Sequence, residues 1–176
     1  MIFRETKLKG AYIVDIERRE DDRGFFARTW CRREFEVHGL NPRLAQCSIS
    51  FNAKKGTLRG MHYQVKPFEE AKLVRCTRGS LCDVVVDLRR DFPTFKGHLS
   101  VTLTSDNRTM LYVPEGFAHG FLTLEDNTEV HYQISEFHAP DHARGFRWND
   151  PAFGIAWPSD VMIISDRDRN YPDFNG

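Results

Sequence analysis

Apolar and polar positions alternate along most of this chain, which is the period of half-buried β-strands rather than of helices. The run Leu73 to Thr77, the pair Arg78-Gly79, and the run Ser80 to Leu88 together predict a β-hairpin. Period two puts Cys82, Val84, Val86 and Leu88 on one face of the second strand, and Leu81, Asp83, Val85 and Asp87 on the other. An aspartate in so apolar a strand demands a partner if its face is buried, because a charge taken out of water unpaired is costly. A second hairpin is predicted from Gly120 to Leu124, through Glu125-Asp126-Asn127, into Thr128 to Ile134. Leu99 to Leu103 and Met110 to Val113 read as further strands, with a turn at Ser105-Asp106-Asn107. Ala11 to Ile16 and Gly24 to Trp30 add two more. One short helix is expected from Cys31 to His38, with Gly39 as its C-cap glycine. The polar stretch from Asp166 to Gly176 is expected to wrap the surface. Many short strands with little helix predict an all-β sandwich or barrel with short peripheral helices.

The chain has 176 residues and shows no internal linker or repeat, so it reads as one domain, residues 1–176, with a real core. Lys plus Arg number 25 and Asp plus Glu 25, a formal net charge of zero. That balance gives no support to a general nucleic-acid or membrane-surface role, so any anion site must come from a local cluster of Arg and Lys. Met1 to Lys7 lacks the apolar run of a signal peptide, and no stretch approaches the roughly 20 apolar residues of a membrane span. The expected location is cytoplasmic. The cysteines at 31, 47, 76 and 82 have no Cys-x-x-Cys spacing and read as reduced, part-buried thiols rather than disulfide or zinc partners.

Several residues carry chemistry in more than one reading. His62, with an ordinary pKa of about 6.5, is a natural proton acceptor, but a lone strand histidine is equally a core residue satisfied by a carbonyl. Lys72 alternates with Val74 and Cys76. It either meets an anion or a developing negative charge on that face, or guards a sheet edge against aggregation. Tyr132 alternates with Val130 and Ile134, as a proton donor or as a packing residue. Asp83 and Asp168 are candidates to orient His119 and His62, since a carboxylate that accepts an imidazole N–H fixes the tautomer and raises basicity. Asp168 alone also describes a solvated tail carboxylate. Arg23 and Arg59 offer planar donor forks for a diphosphate, and Phe26 a stacking face, although Asp22-Arg23-Gly24 is also an ordinary turn. His138 and His142 have metal-like spacing, but Pro140 between them breaks a helix, and both read as loop residues.

The stretches Arg59-Gly60-Met61-His62-Tyr63-Gln64 and Pro114-Glu115-Gly116-Phe117-Ala118-His119-Gly120 resemble the two halves of a cupin β-barrel motif, with Gln64 where metal-binding cupins carry a second His. A three-histidine metal cage is therefore not expected. Further pieces follow in order along the chain. They are Asp22-Arg23-Gly24-x-Phe26, Gly56-Thr57-Leu58-Arg59, Lys72-Leu73-Val74-Arg75, Asp83 to Arg89 followed by Pro93-Thr94-Phe95, Trp148-Asn149-Asp150-Pro151, Ile155-Ala156-Trp157-Pro158 and Ser165-Asp166-Arg167-Asp168. Together they resemble the dTDP-4-dehydrorhamnose 3,5-epimerase family over nearly the whole chain. The resemblance implies a cupin-type jelly-roll β-sandwich that needs no cofactor and no metal. It implies an enzyme, an isomerase that inverts C3, C5 or both of a nucleotide-linked 4-keto-6-deoxyhexose through an enolate. It assigns His62 as base, Asp168 as its dyad partner, Tyr132 as acid and Lys72 as the enolate's cation. It places Arg23, Phe26, Arg28, Gln46, Ser48, Arg59, Asp83, His119 and Arg167 at the substrate. It also implies a homodimer whose N-terminal regions reach into each other's barrels.

The sequence departs from the family at three places. Arg28 and Ala143 fall where many members carry Glu, and Gln46-Cys47-Ser48 stands for a Gln-x-Asn. These changes raise the expectation of the same chemistry on a different nucleotide or sugar, such as a GDP- or CDP-linked one. A 3,4-ketoisomerase, a non-catalytic sugar-nucleotide-binding cupin and a metal-dependent dioxygenase are the other readings. Gln64 weighs against the last.

Overall fold

Strand Ser80–Asp87 is buried along its whole length, so it must lie inside the molecule with material on both faces. The computed structural model describes all of residues 1–176 and shows how. In chain order the strands are β1 (Ile2–Glu5), β2 (Tyr12–Asp15), β3 (Arg19–Asp21), β4 (Gly24–Phe26), β5 (Gln46–Asn52), β6 (Thr57–Gln64), β7 (Lys72–Arg78) and β8 (Ser80–Asp87). They continue with β9 (His98–Thr104), β10 (Met110–Val113), β11 (Phe117–Thr123), β12 (Thr128–Ile134), β13 (Ala143–Gly145) and β14 (Ile163–Ile164). Helix α1 spans Arg32–Val37 and α2 spans Asp166–Arg169. One sheet runs β1-β2-β10-β7-β12-β5 and the other β13-β6-β11-β8-β9, with β14 pairing alongside β6. The two sheets stack as a sandwich. No helix is long and apolar enough to cross a membrane.

Three layers of apolar packing hold this together. Between the sheets lie Val74, Cys76, Leu81, Val85, Leu111, Phe117, Phe121 and Val130, the inward stripe of each strand. On the outer face of the first sheet, Phe35 of α1 and Leu40 pack on Val14, Leu73 and Met110. On the outer face of the second, Phe146 and Phe153 cover Met61, Cys82, Val84, Val86 and Ala118. Burial of each such side chain is worth roughly 1.5–3 kcal/mol, and on β8 both faces contribute.

Both predicted hairpins are corrected by the topology. β7 and β8 are joined by Gly79 alone yet lie in opposite sheets, as do β11 and β12. Gly79 has φ +77°, and a Cβ there would sit 2.6 Å from Thr128 Oγ1, so the chain can turn this corner only with glycine. A turn signal between two apolar runs does not say whether the chain folds back into its own sheet or crosses to the facing one. The expected strand Gly24 to Trp30 stops at Phe26, because β4 pairs only with three-residue β3 in a separate, exposed hairpin. The helix is Arg32–Val37, and Gly39 adopts φ +67° two residues beyond it, as a C-terminal glycine should. The tail does not simply wrap the surface, since Asp166–Arg169 forms α2 and Asp168 is buried. All four cysteines are free, but the expectation that they are part-buried holds only for Cys31: Cys47 is exposed, and Cys76 and Cys82 are fully buried, which pushes each of those two thiols up to about 11.

β5 was invisible to the periodicity because its polarity is inverted. Gln46, Ser48 and Ser50 line the cavity, while Ile49 and Phe51 are exposed. β6 carries a bulge. His62 is paired with His119 and Arg59 with Phe121, so three steps on β6 oppose two on β11. The bulge lets Arg59 and His62, three apart, reach the same side. Gly60 makes this possible at φ +132°, where a Cβ would lie 2.5 Å from the Gly120 Cα. Gly60→Ala is therefore expected to cost about 2–3 kcal/mol, read as a lower denaturant midpoint with unchanged slope.

Candidate active site

At one end of the sandwich the apolar inward stripes change to polar residues, and a cavity of about 750 Å³ opens between the sheets. The change follows the strand register. On β7, Lys72 continues the inward row of Val74 and Cys76. On β12, Tyr132 continues the row of Val130, and it is paired with Val74 of β7 and Ser48 of β5. On β11, His119 stands between Phe117 and Phe121. β7 runs between β10 and β12, so Lys72 is not an edge lysine.

Two imidazole–carboxylate pairs form. His62 Nε2 donates to Asp168 Oδ1 at 2.7 Å, and His119 Nε2 donates to Asp83 Oδ1 at 2.7 Å. A carboxylate can only accept, so each ring carries its proton on Nε2 and keeps Nδ1 as the basic nitrogen. The environments differ. The His62 side chain is 41 % exposed, whereas that of His119 is 6 % exposed. Of the two imidazoles, His62 is the more open to a ligand in the cavity. Asp83, on the face that carries Leu81 and Val85 between the sheets, is wholly buried, and its Oδ2 has no hydrogen-bond partner.

Asp168 is held from three sides. Its Oδ2 accepts from the Gly60 amide at 3.2 Å, and its own amide donates to Ser165 Oγ, the N-cap of α2. Burial alone would raise this carboxyl, but the hydrogen bonds and charge of His62 and the Gly60 amide hold it below its ordinary value. Tyr132 is inclined edge-on to His119 with ring centroids 6.2 Å apart, and its hydroxyl lies 3.5 Å from Ser50 Oγ. Burial pushes the phenol well above its usual range, so it keeps its proton at neutral pH. Lys72 Nζ meets Glu70 Oε1 at 2.8 Å. Arg59 is anchored through Nε to Asn52 Oδ1 at 2.8 Å.

Gln46, Ser48, Arg59, His62, Lys72, His119, Tyr132, Arg167 and Asp168 all line the cavity, and Asp83 stands directly behind His119. Arg167 Nε donates to Tyr171 OH at 2.7 Å. Arg23, Phe26 and Arg28 lie elsewhere. Arg23 pairs with Asp21 and Arg28 with Glu34, while Phe26 is 73 % exposed. Gln64 is buried as a staple. Its Nε2 donates to the carbonyls of Phe68 and Phe137, and its Oε1 accepts from the Ala139 amide. Its amide is fully committed to the backbone, and no three His, Cys, Asp or Glu side chains converge as a metal-ligand group. Sequence reasoning missed Glu70, Ser50, Arg144 and the cavity-lining position of His138. Glu70 had a readable signal, an acid two residues before Lys72.

The fold and the cavity define a two-sheet β-sandwich carrying paired imidazoles and carboxylates between its sheets. Residues 5–176 match the family model described as dTDP-4-dehydrorhamnose 3,5-epimerase. A dTDP-4-dehydrorhamnose 3,5-epimerase from Sinorhizobium fredii is 38% identical over 173 residues, covering 98% of this chain and 89% of that one. The crystal structure of the Elizabethkingia anophelis enzyme of that name superposes with a TM-score of 0.96 at 36% identity, covering 99% of this chain and 96% of that one. The Bacillus anthracis enzyme, solved with TDP and PPi bound, gives 0.94 at 39% identity, covering 98% of this chain and 99% of that one. The chain belongs to the dTDP-4-dehydrorhamnose 3,5-epimerase family. It is a carbohydrate epimerase with the cupin-type β-sandwich of that family.

The depressed Asp168 carboxyl ties stability to pH. Its folded pKa lies below the ordinary 3.8, so its contribution is present in full above that value and lost as pH falls through the lower folded one. The melting-temperature advantage of wild type over Asp168→Asn is expected at pH 7 and should shrink progressively once the pH drops below 3.8.

Proposed function

We propose that the protein inverts C3 and C5 of a dTDP-linked 4-keto-6-deoxyhexose, with His62 as base, Tyr132 as acid and Lys72 as the cation at the enolate oxygen. The observation that carries this is the placement of His62 and Tyr132 on opposite sheets, on either side of one cavity. A ring held between them presents one face to the imidazole and the other to the phenol, and inversion requires that opposition. The C4 ketone makes the hydrogens on C3 and C5 acidic. His62 Nδ1 takes one of these protons, the C–H electron pair moves into the ring, and negative charge collects on O4. Lys72 then meets that oxygen. Tyr132 O–H returns a proton from the other side as the enolate collapses back to the ketone. His62 then holds one extra proton and Tyr132 lacks one, and exchange with water resets both. The ketone serves as its own electron sink, so the scheme calls for no cofactor.

Arg59 and Arg167, cationic and at the cavity wall, fit a diphosphate. The dTDP reading is favoured by the family match and by the Bacillus anthracis relative, which was solved with TDP and PPi bound. The exposed β3–β4 hairpin and the open edge of β5, with Ile49 and Phe51 exposed, support a homodimer in which Arg23 and Phe26 reach the nucleotide of a second copy.

Incubation with a dTDP-4-keto-6-deoxyglucose substrate in deuterated water is expected to place label at both C3 and C5; label at neither would sink the assignment. His62→Ala should lower incorporation at least about 100-fold. Tyr132→Phe should still exchange protons while forming inverted product at least about 100-fold more slowly, and unchanged product formation would remove Tyr132 from the mechanism. Turnover compared across dTDP-, GDP- and CDP-linked sugars is expected to favour dTDP, and a clear preference for another base would overturn the nucleotide assignment.

A further inference from the structure

Glu70 and Lys72 stand two residues apart where the chain enters β7, and both line the cavity. The residue between them is clamped. The Ala71 amide donates to Ser135 Oγ at 2.8 Å, and the Ser135 amide donates to the Ala71 carbonyl at 2.9 Å. The Lys72 and Glu70 side chains are each only 12% exposed and meet at 2.8 Å. The carboxylates at the cavity wall are Glu70 and Asp168, and Asp168 is committed to His62 and the Gly60 amide. Arg59, Arg144 and Arg167 share the same cavity. A lysine in that company faces both burial and like charge, which favour turning its side chain out of the cavity. Glu70 is the one acid in the wall free to counter both.

Resting on the epimerase reading above, we infer that Glu70 is a positioning residue that keeps Lys72 aimed at the oxygen where the enolate forms. Glu70 itself touches neither the sugar nor the reacting atoms. Its effect therefore passes through Lys72 and falls on turnover rather than on substrate binding. A carboxylate that instead accepted from a sugar hydroxyl would act on binding, and would still matter with Lys72 gone.

The test compares kcat, KM and melting temperature of wild type, Glu70→Gln, Glu70→Asp, Lys72→Met and the Glu70→Gln/Lys72→Met double variant on one dTDP-4-keto sugar. Glu70→Gln is expected to lower kcat about tenfold or more, with KM within about twofold. Glu70→Asp, which keeps the charge, should recover part of that loss, and this comparison stands even if the Gln variant folds poorly. The double variant should be no slower than Lys72→Met alone. Wild-type kcat in Glu70→Gln overturns the inference, as does a double variant slower than Lys72→Met by the full Glu70→Gln factor. Full turnover by Lys72→Met removes Lys72 from the mechanism and this inference with it, whereas no turnover by wild type overturns the epimerase reading on which the inference rests. A slow Lys72→Met beside a normal Glu70→Gln removes this inference alone.

Discussion

A titratable group between two packed sheets can stay there only with a partner, and that constraint organises this molecule. His62 has Asp168, His119 has Asp83, and Lys72 has Glu70. Each pair replaces apolar side chains on inward rows that elsewhere build the core, and each draws its members from different places. Asp168 comes from a helix more than a hundred residues beyond His62, Asp83 from the strand beside His119, and Glu70 from the segment leading into β7. Removing one member would leave a charge or a polar ring without its partner.

The same constraint explains several features that look unrelated. The bulge at Gly60 brings Arg59 and His62 to one side and also offers an amide to Asp168. The crossings at Gly79 and after Thr123 send successive strands to opposite sheets, which brings Lys72 and Tyr132 on one wall to face His62 and His119 on the other. Gln64, which read as a missing metal ligand, ties the 137–139 segment to β6 and so holds the cavity's rim. β5 completes the wall by turning serines and a glutamine inward, at the cost of exposing Ile49 and Phe51.

The sequence by itself determined the strand-rich character, which residues of β7, β8 and β12 share a face, the need of Asp83 for a partner should its face be buried, and the order of motifs that marks the family. These are local: period two fixes a side chain's face wherever the strand lies. Which sheet each strand joins was decided only in three dimensions, because a glycine turn has the same composition whether it closes a hairpin or crosses a sandwich. Asp168 shows the same limit. In sequence it is one of several tail carboxylates, and only the docking of α2 beside β6 makes it buried, paired and acidic. β5 escaped because its apolar residues face outward, and Glu70 because its meaning depends on Lys72 facing a cavity instead of solvent. Period and composition are carried by neighbours along the chain, whereas desolvation and charge pairing are set by neighbours through space.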